Sequence, residues 1–354
     1  MRPFLHKLLV IVSLIFVGLL LLSYLAPYVS PVYFWPIAFL GLAYPYLLAI
    51  NILFVLYWTF RRKKSALIPL LAVAIGYPQL QKFIRIGENN PQVDSEKVVK
   101  VLTYNVRSFD RYKWSGNPKT PSEIVQLVKN EKPNIICLQE FRNTTTGLLR
   151  LKNLSRKWGT RYYHRSKGNN RVATFSKYPI IRRDEISFGK EHLCRCIFTD
   201  LKIGEDTLRV YNLHLESNRF VNRNYNFINK LEKEYKEEDL EEIKDISLRL
   251  RFAFIRRAKQ ANIIREHINK SPYPSIVCGD FNDTPNSYTY NQIRGDFQDA
   301  FEDWGKGIST TYNGDFPSFR IDYLLYSKGI KCWDYGRIKQ KLSDHYPIYG
   351  SFHF

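Results

Sequence analysis

Six short polar clusters of this chain carry side chains that could do chemistry, and they stand beside apolar runs typical of strands. In chain order they are Thr103-Tyr104-Asn105, Gln139-Glu140, Asn212-Leu213-His214, Gly279-Asp280-Phe281-Asn282, Arg320-Ile321-Asp322-Tyr323 and Ser343-Asp344-His345. Carboxylates and carboxamides are the hard oxygen ligands that Mg²⁺ prefers, and amides and imidazoles can hold or protonate a phosphate. Such side chains at the ends of several strands predict a metal-assisted phosphoester hydrolase.

The order of the clusters and the residues in them resemble the motifs of the endonuclease/exonuclease/phosphatase superfamily. This superfamily includes DNase I, abasic-site endonucleases, sphingomyelinases and inositol-polyphosphate 5-phosphatases. The most specific segments are residues 279–285 (GDFNDTP) and 342–347 (LSDHYP). The resemblance implies an α/β fold, the DNase I-like four-layered α/β sandwich, in which two packed β-sheets are flanked by helices. It also implies a hydrolase that depends on a divalent metal, with Mg²⁺ as the expected cofactor and Mn²⁺ as an alternative.

The resemblance assigns three residues to the metal. Glu140 is the principal ligand, Asn105 contributes its amide oxygen, and Asp344 lies on the metal side of the cleft. A carboxylate or an asparagine at a strand end is also common in an ordinary solvated turn. Which carboxylate touches the metal stays open at this stage.

The reaction itself is assigned to five further residues. Asp280 orients or deprotonates the attacking water, and Asn282 donates hydrogen bonds to the phosphate, so it is both catalytic and substrate-binding. His345 either accepts a proton from water or binds a phosphate oxygen as imidazolium, and Asp322 orients its ring. His214 protonates the leaving oxygen or binds the phosphate. The DNase I-, sphingomyelinase- and 5-phosphatase-like branches carry a histidine at this position, whereas abasic endonucleases usually do not.

Asn212 and Arg257 complete the expected site as substrate-binding residues. Arg257 and Gln260 resemble a recurrent Arg-x-x-Gln pair of the family that braces the site, with a salt-bridged helix surface as the alternative. Residues 218–251 form a charge-dense insertion that starts soon after His214. This insertion is either a surface helix without a role or a lid or docking arm beside the site.

The first 86 residues have the composition of a membrane region. Apolar runs lie at about residues 8–28, 33–60 and 66–80. The first two are long enough to cross a bilayer as helices, and the third is close to the lower limit. We therefore expect two or three transmembrane helices, with three favoured, then a linker at 87–98 and the catalytic domain at 99–354. A cleaved signal peptide is the alternative for the first run, but no small-residue cleavage site follows it.

Lysine and arginine set the expected orientation. Arg2 and Lys7 hold the N-terminus in the cytoplasm, and residues 61–64 (RRKK) form a second cytoplasmic anchor. If the run at 66–80 crosses the bilayer, the catalytic domain lies outside the cytoplasm, and if it is only interfacial, the domain stays inside. We predict a multi-pass protein of the cell (inner) membrane with an extracytoplasmic catalytic domain.

The formal net charge of +20 suits an anionic partner, but it does not choose between nucleic acid and anionic lipid. Hydrolysis of phosphodiester bonds in nucleic acid is the favoured function, because of this basic excess and the DNase I-like His214. A phospholipid or phosphoinositide-type phosphoesterase is the alternative, because the membrane anchor would hold the site near lipid head groups. A catalytically idle membrane scaffold is the third hypothesis, and the complete set of site residues argues against it.

Overall fold

The computed structural model describes residues 3–86, 98–168, 171–189, 195–231, 239–314 and 318–353. The helices are α1 (Pro3–Ser23), α2 (Pro31–Phe34), α3 (Pro36–Phe60), α4 (Leu67–Ile75), α5 (Tyr77–Gln81), α6 (Arg107–Asp110), α7 (Thr120–Glu131), α8 (Leu151–Trp158), α9 (Asn222–Leu231), α10 (Asp239–Asn269), α11 (Tyr288–Arg294) and α12 (Ala300–Trp304), with a 3₁₀ helix at Lys64–Ala66. The expected linker at 87–98 lies outside the described residues except for its last position.

The strands form two large sheets and one small one. They are β1 (Ile84–Arg85), β2 (Val99–Asn105), β3 (Ile135–Gln139), β4 (Tyr162–Arg165), β5 (Ala173–Ser176), β6 (Ile180–Ile186), β7 (Arg195–Ile203), β8 (Asp206–His214), β9 (Ser275–Asp280), β10 (Gln298–Asp299), β11 (Gly307–Ile308), β12 (Asp322–Tyr326), β13 (Lys331–Arg337) and β14 (Ile348–His353). One six-stranded sheet has the order β13-β14-β2-β3-β5-β4, the other has the order β10-β12-β9-β8-β7-β6, and β1 pairs with β11.

The two six-stranded sheets pack face to face, and helices cover their outer faces. Val101 of the first sheet and Val210 of the second belong to the buried cluster between the sheets. Ile124 of α7 packs in the outer layer of the first sheet, and Ile264 of α10 packs in that of the second. Alternate side chains of a strand point to opposite faces, so each central strand contributes apolar side chains to both layers. The expected four-layered α/β sandwich is confirmed.

The strand directions bring the polar clusters to one edge of the sandwich. β2 and β3 are parallel, as are β8 and β9, and the carboxyl ends of β2, β8 and β9 carry Asn105, His214 and Asp280. β12 runs antiparallel to β9, so its first residue, Asp322, pairs with Asp280. β14 runs antiparallel to β2, which brings the segment before it, with His345, to the same edge.

The end of β9 requires a glycine. Gly279 has a φ of +133°, and a Cβ added there would lie 2.1 Å from the carbonyl oxygen of Leu213 in the neighbouring β8. A side chain is strained at such a φ, and here it would also collide with backbone. The absence of a side chain allows β8 and β9 to stay paired up to His214 and Asp280.

Two helices, α1 and α3, are long and apolar enough to cross a membrane. They run antiparallel, because His6 packs against Trp58 with ring centroids 5.3 Å apart and Tyr24 packs against Tyr44 at 6.0 Å. Many large apolar side chains on their outer surfaces are exposed, for example Leu53 at 63%. Exposed apolar surface of this extent is unusual for the core helix of a soluble protein.

The third apolar run, expected as one helix over residues 66–80, is divided in two. α4 ends at Ile75 and α5 begins at Tyr77. Gly76 between them packs against Tyr24, whose hydroxyl oxygen would lie 2.1 Å from an added Cβ. The nine residues of α4 span roughly 14 Å, which is too short to cross a hydrocarbon core of about 30 Å alone.

Residues 64–83, which contain α4 and α5, nevertheless run back along α3. They start at one end of the pair formed by α1 and α3 and finish at the other end. The Lys63 N–H donates to the carbonyl oxygen of Trp58 near the end of α3, over 3.0 Å. The Phe83 ring lies 5.1 Å from the ring of Tyr44, near the start of α3. We refer to α1, α3 and residues 64–83 as the helix bundle.

The domain that contains the two six-stranded sheets packs on the end of the helix bundle that is remote from residues 61–64. Asn286 donates its side-chain N–H to the carbonyl oxygen of Ser23 over 3.0 Å. The Phe39 ring of α3 meets the Phe254 ring of α10 edge to face, with centroids 5.3 Å apart. These buried contacts fix the bundle against the domain that carries the polar clusters.

Substituting Gly279 with alanine should destabilise the protein far more than the same change at Gly204. Gly204 also has a positive φ, +60°, but nothing lies within 4 Å of an added Cβ there. We expect a loss of about 1 kcal/mol for Gly204→Ala, from backbone strain alone, and about 3 kcal/mol or more for Gly279→Ala. Urea unfolding followed by tryptophan fluorescence measures both losses. Equal losses would contradict the close approach of β8 and β9.

Candidate active site

A cleft of about 310 Å³ opens at the edge where the polar clusters meet. Its lining includes the predicted site residues Glu140, His214, Arg257, Asp280, Asn282, Asp344 and His345. Asn105 and Asp322 lie directly behind this lining, each hydrogen-bonded to one of its members. The clusters are therefore brought together as the strand-end pattern predicts, with Asn212 as the exception.

Asp280 lies at the centre of the cleft floor and is only 1% exposed. Its Oδ2 accepts a hydrogen bond from Asn105 Nδ2 over 3.0 Å and lies 3.6 Å from His214 Nε2 and 3.7 Å from His345 Nε2. Its Oδ1 accepts a hydrogen bond from the Asn282 N–H over 2.8 Å. Burial raises the pKa of the Asp280 carboxyl, although the two histidines act in the opposite direction. A carboxylate in this position can accept a proton from water.

His345 and Asp322 form a buried pair on one side of Asp280. His345 Nδ1 lies 2.9 Å from Asp322 Oδ2, and its ring meets the Tyr312 ring edge to face at 5.3 Å. Burial lowers the pKa of His345, but the charges of Asp322 and Asp280 outweigh it and raise this pKa to about 10. The imidazole is therefore protonated at neutral pH. This state favours binding of a phosphate oxygen over removal of a proton from water.

The predicted metal ligands Glu140 and Asp344 line the cleft, and Asn105 lies behind them beside Asp280. Asn105 Nδ2 lies 3.4 Å from Glu140 Oε1, and Asp344 Oδ2 lies 2.9 Å from Arg107 Nη1. Burial raises the pKa of Asp344, and the charge of Glu140 adds to this effect, while Arg107 opposes it. Crowded carboxylates of this kind suit a hard divalent cation. Asn105 turns its Nδ2 toward Glu140 and Asp280, and its amide oxygen accepts from the Arg107 N–H over 3.0 Å. A flip of the amide would turn that oxygen toward a metal beside Glu140.

A second group of side chains is also close enough to hold a cation. One ligand atom each from Asp280, Asp322 and His345 lie within 4.8 Å of one another. All three residues are buried, and His345 is already paired with Asp322. Mg²⁺ keeps several water ligands, and the Glu140 side chain, which is 34% exposed, leaves space for them. The cluster of Glu140, Asn105 and Asp344 therefore fits Mg²⁺ better.

His214 faces the same carboxylates from β8. Its Nε2 lies 3.6 Å from Asp280 Oδ2 and 3.9 Å from Glu140 Oε1. Its buried Nδ1 has no hydrogen-bond partner within the part of the chain that the structure describes. Nε2 is therefore the ring nitrogen that faces the cleft and could pass a proton to a leaving oxygen there.

Asn282 lines the cleft in a left-handed conformation, with a φ of 54°. Its side-chain Nδ2 donates one hydrogen bond to the carbonyl oxygen of Leu215 over 3.0 Å. A carboxamide nitrogen carries two hydrogens. The second hydrogen is available to a phosphate in the cleft, as predicted for this residue.

Asn212, predicted to bind substrate, does not reach the cleft. It is fully buried, donates to the carbonyl oxygen of Ala173 over 3.0 Å and accepts from Gln139 Nε2 over 2.8 Å. Asn212 and His214 lie on the same face of β8, but two residues of strand are roughly 6.6 Å. Asn212 is therefore too deep between the sheets, where it joins one sheet to the other.

Arg257 lines the cleft, but its guanidinium is engaged with protein atoms. It donates to Asp283 Oδ2 over 3.1 Å, and to the Glu216 carbonyl oxygen and Asn218 Oδ1 over 2.9 Å each. Gln260 Oε1 accepts from the Glu216 N–H over 3.1 Å. The pair ties the loops after β8 and β9 to α10. These contacts are the bracing role that the Arg-x-x-Gln pair implies, and the substrate-binding role assigned to Arg257 stays a prediction.

The insertion at 218–251 forms part of the cleft wall. It comprises α9 and the first part of α10, and residues 232–238 between them lie outside the described chain. Phe220, Tyr225 and Leu250 line the cleft. α10 is continuous from Asp239 to Asn269, so the end of the insertion lies on the same helix as Arg257 and Gln260. The segment therefore lies beside the site, and a role as a lid or docking arm stays a prediction.

Several residues of the cleft are absent from the sequence-based prediction, and three of them stand out. Arg107 pairs with Asp344, Tyr312 packs on His345, and Leu42 of α3 lines the cleft from the helix bundle. Arg107 follows Asn105 by two residues and has a φ of 42°, a conformation that nothing in its sequence indicates. Leu42 lies within a long apolar run, and this pattern predicts only a membrane-spanning segment.

The sequence profile of the endonuclease/exonuclease/phosphatase family matches residues 102–345, about two thirds of the chain. The chain belongs to this family. The matched segment contains every predicted catalytic and metal-binding residue. A domain of unknown function matches residues 6–83, which form the helix bundle. A search of curated proteins gave no match.

Solved structures share the fold with this family member at low sequence identity. A humanised TDP2 of D. rerio is 16% identical with a TM-score of 0.52, covering 73% of this chain and 99% of that one. The mannosyl-6-phosphatase Bt3783 of Bacteroides thetaiotaomicron is 18% identical with a TM-score of 0.50, covering 72% and 100%. The human Nocturnin catalytic domain is 17% identical with a TM-score of 0.54, covering 74% and 96%.

Replacing Glu140 with glutamine should lower metal-dependent phosphoester hydrolysis by about a hundredfold or more. The change removes the ligand's charge and keeps its shape, and metal stabilisation of a transition state is worth several kcal/mol. Initial rates at saturating Mg²⁺ measure the loss. Glu205→Gln is the matched control, because that side chain is fully exposed in the turn between β7 and β8. Equal rates for the two variants would remove Glu140 from the metal site.

Proposed function

We propose that this chain is a membrane-anchored phosphoesterase that depends on a divalent metal. The observation that carries the proposal is the cleft in which oxygen ligands, Glu140, Asn105 and Asp344, adjoin the buried group of Asp280, Asp322 and His345. A binding scaffold without activity has no need of a buried carboxylate flanked by two histidines, because burying such charges costs stability. The geometry therefore supports an active enzyme over an idle scaffold.

The metal would be held by Glu140 and Asp344, with the Asn105 amide oxygen as a further ligand. Mg²⁺ or Mn²⁺ in this place would neutralise the negative charge of the substrate phosphate. The donor set fits such an ion, because all three side chains offer oxygen atoms. Asp344 already pairs with one cation, the guanidinium of Arg107. The remaining steps rest on side chains of the chain itself.

Asp280 is the group that takes a proton from the attacking water. Burial raises the pKa of its carboxyl, so it is a stronger base than an exposed aspartate. His345 holds a non-bridging phosphate oxygen through its protonated ring, and Asn282 donates a hydrogen bond from its amide to another. Both donors are anchored, His345 by Asp322 and Asn282 by Leu215, so they need no reorganisation as charge develops on the phosphate. His214 protonates the leaving oxygen.

The catalytic domain lies outside the cytoplasm in this proposal. Residues 61–64, four basic side chains, follow α3 at the end of the helix bundle that is remote from the domain. Short basic loops stay in the cytoplasm. The divided third run then brings the chain back to the catalytic end, at Phe83 beside Tyr44. Its crossing rests on packing against α1 and α3 rather than on a single long helix.

Nucleic acid is the substrate that the sequence favours, and part of the cleft lining suits it. Arg107 and Arg219 line the cleft, and Tyr112 on the same lining is 71% exposed. Arginines beside an exposed aromatic ring can hold a phosphate backbone and stack on a base. Related folds include TDP2 of D. rerio in complex with a single-stranded DNA product, at 17% identity, a likeness that concerns the fold alone.

His214→Ala should reduce hydrolysis most when the leaving group is a poor one. A general acid matters in proportion to the basicity of the leaving oxygen, so we expect about a hundredfold loss with an alkoxide and little loss with p-nitrophenolate. The assay compares diesters with these two leaving groups, using the full chain with Mg²⁺ or with a chelator. His353→Ala, at the opposite end of β14 from the cleft, is the control.

Two results of this assay would contradict the proposal. Equal losses with both leaving groups would mean that His214 binds phosphate instead of donating a proton. Hydrolysis that persists in full with the chelator, or no hydrolysis of any phosphoester with Mg²⁺ or Mn²⁺, would contradict a metal-dependent phosphoesterase.

A reporter enzyme fused after Phe354 should be active only if it is a type that works outside the cytoplasm. The proposed three passages of the chain, with residues 61–64 on the cytoplasmic side, imply that location. The matched control is the same reporter fused after Lys64, where only a cytoplasmic reporter should be active. A cytoplasmic reporter that works after Phe354 would show that the third run does not cross.

A further inference from the structure

The cleft has two chemically different walls. Its floor carries the ionisable side chains around Asp280, and another part of its lining is apolar, with Leu42, Phe220, Leu250 and Phe254. A free inorganic phosphate or a small polar phosphoester makes no use of apolar surface at the mouth of a catalytic site. A ligand that contacts both parts of the lining has a phosphate at one end and an apolar group at the other.

The apolar wall is continuous with the helix bundle. Leu42 belongs to α3, one of the two helices long enough to span a bilayer. Its neighbours are fixed to the catalytic domain, because Phe39 meets Phe254 at 5.3 Å and a Cβ on Gly41 would lie 2.6 Å from the Asn286 carbonyl oxygen. No solvent layer separates α3 from the domain at these contacts.

An exposed apolar surface flanks the junction of α3 with the domain. Trp35, which joins α2 to α3, lies under the Arg251 guanidinium of α10 at 4.9 Å. Nearby, Tyr33 is 90% exposed and Phe252 is 60% exposed. Aromatic and aliphatic side chains beside a spanning helix, interleaved with arginine, suit the interface of a membrane.

We infer that the substrate is a phospholipid of the bilayer that the helix bundle spans, with its phosphate on the cleft floor and its apolar chain against Leu42, Leu250 and Phe254. The inference rests on the proposed phosphoesterase function and names its substrate class. A cleft of about 310 Å³ is at the small end of ligand pockets. It holds the phosphate and the first part of a chain, and the rest of the lipid remains in the bilayer.

Nucleic acid makes poorer use of this wall. Single strands are held by aromatic rings that stack on bases and by a basic groove that follows the backbone. Leu42 and Leu250 are aliphatic and offer neither, and Leu42 enters the cleft from the membrane side.

The test uses n-alkyl phosphates, from ethyl to octyl, as inhibitors of a soluble nitrophenyl phosphodiester assay with the full chain in detergent. Inhibition should strengthen by roughly two- to fourfold for each added methylene over the first few carbons, because each buries apolar surface. Leu42→Trp fills the space beside the apolar wall and should make inhibition nearly independent of alkyl chain length. Leu53 lies elsewhere on α3 and is 63% exposed. Leu53→Trp should leave the dependence on chain length unchanged, so this variant also controls for partition of the inhibitors into detergent.

A second arm compares substrates for wild type directly. A short-chain phospholipid should be hydrolysed with a higher kcat/KM than an oligonucleotide, and Leu42→Ala should lower the lipid value by about tenfold. Inhibition that is independent of chain length, equal behaviour of Leu42→Trp and Leu53→Trp, or preference for the oligonucleotide would overturn the inference while leaving the phosphoesterase intact. Absence of hydrolysis with every phosphoester would overturn both.

Discussion

The burial of Asp280 at the junction of the two sheets is the constraint on which the rest of the site depends. A carboxylate that is 1% exposed loses its hydration, and only fixed donors and cations can compensate for that loss. Asn105, His214, His345 and the Asn282 N–H supply this compensation from four different segments of the chain. The fold can bury the carboxylate only if all of these strand ends meet.

The helix bundle is built into the same arrangement. The buried guanidinium of Arg320 donates to the carbonyl oxygen of Lys82, in the last turn of the bundle, over 3.1 Å and pairs with Asp299. Arg320 stands two residues before Asp322, which orients His345. Buried charges of this kind tolerate little displacement. The packing of the bundle and the orientation of the catalytic histidine are therefore linked through one short segment.

The sequence predicts the fold and most of the site because strand-end clusters are local signals. Asn105, Glu140, Asp280 and His345 each follow or precede an apolar run, and the parallel and antiparallel pairings bring such ends together. Asn212 was assigned to the cleft but lies between the sheets. Whether a side chain reaches the sheet edge depends on its position along the strand, and the sequence does not give that position. Leu42 could not be found, since its role depends on docking between two units whose contact no local pattern encodes.

Binding of a single divalent ion tests the central claim, that these strand ends form one metal-assisted phosphoester site. Mn²⁺ titration of the full chain, followed by electron paramagnetic resonance, counts bound ions without any need for turnover. One Mn²⁺ per chain is predicted, displaced by Mg²⁺ and lost when Glu140 is replaced by glutamine but kept when Glu205 is replaced. No saturable binding, or unchanged binding without the Glu140 carboxylate, would contradict the account.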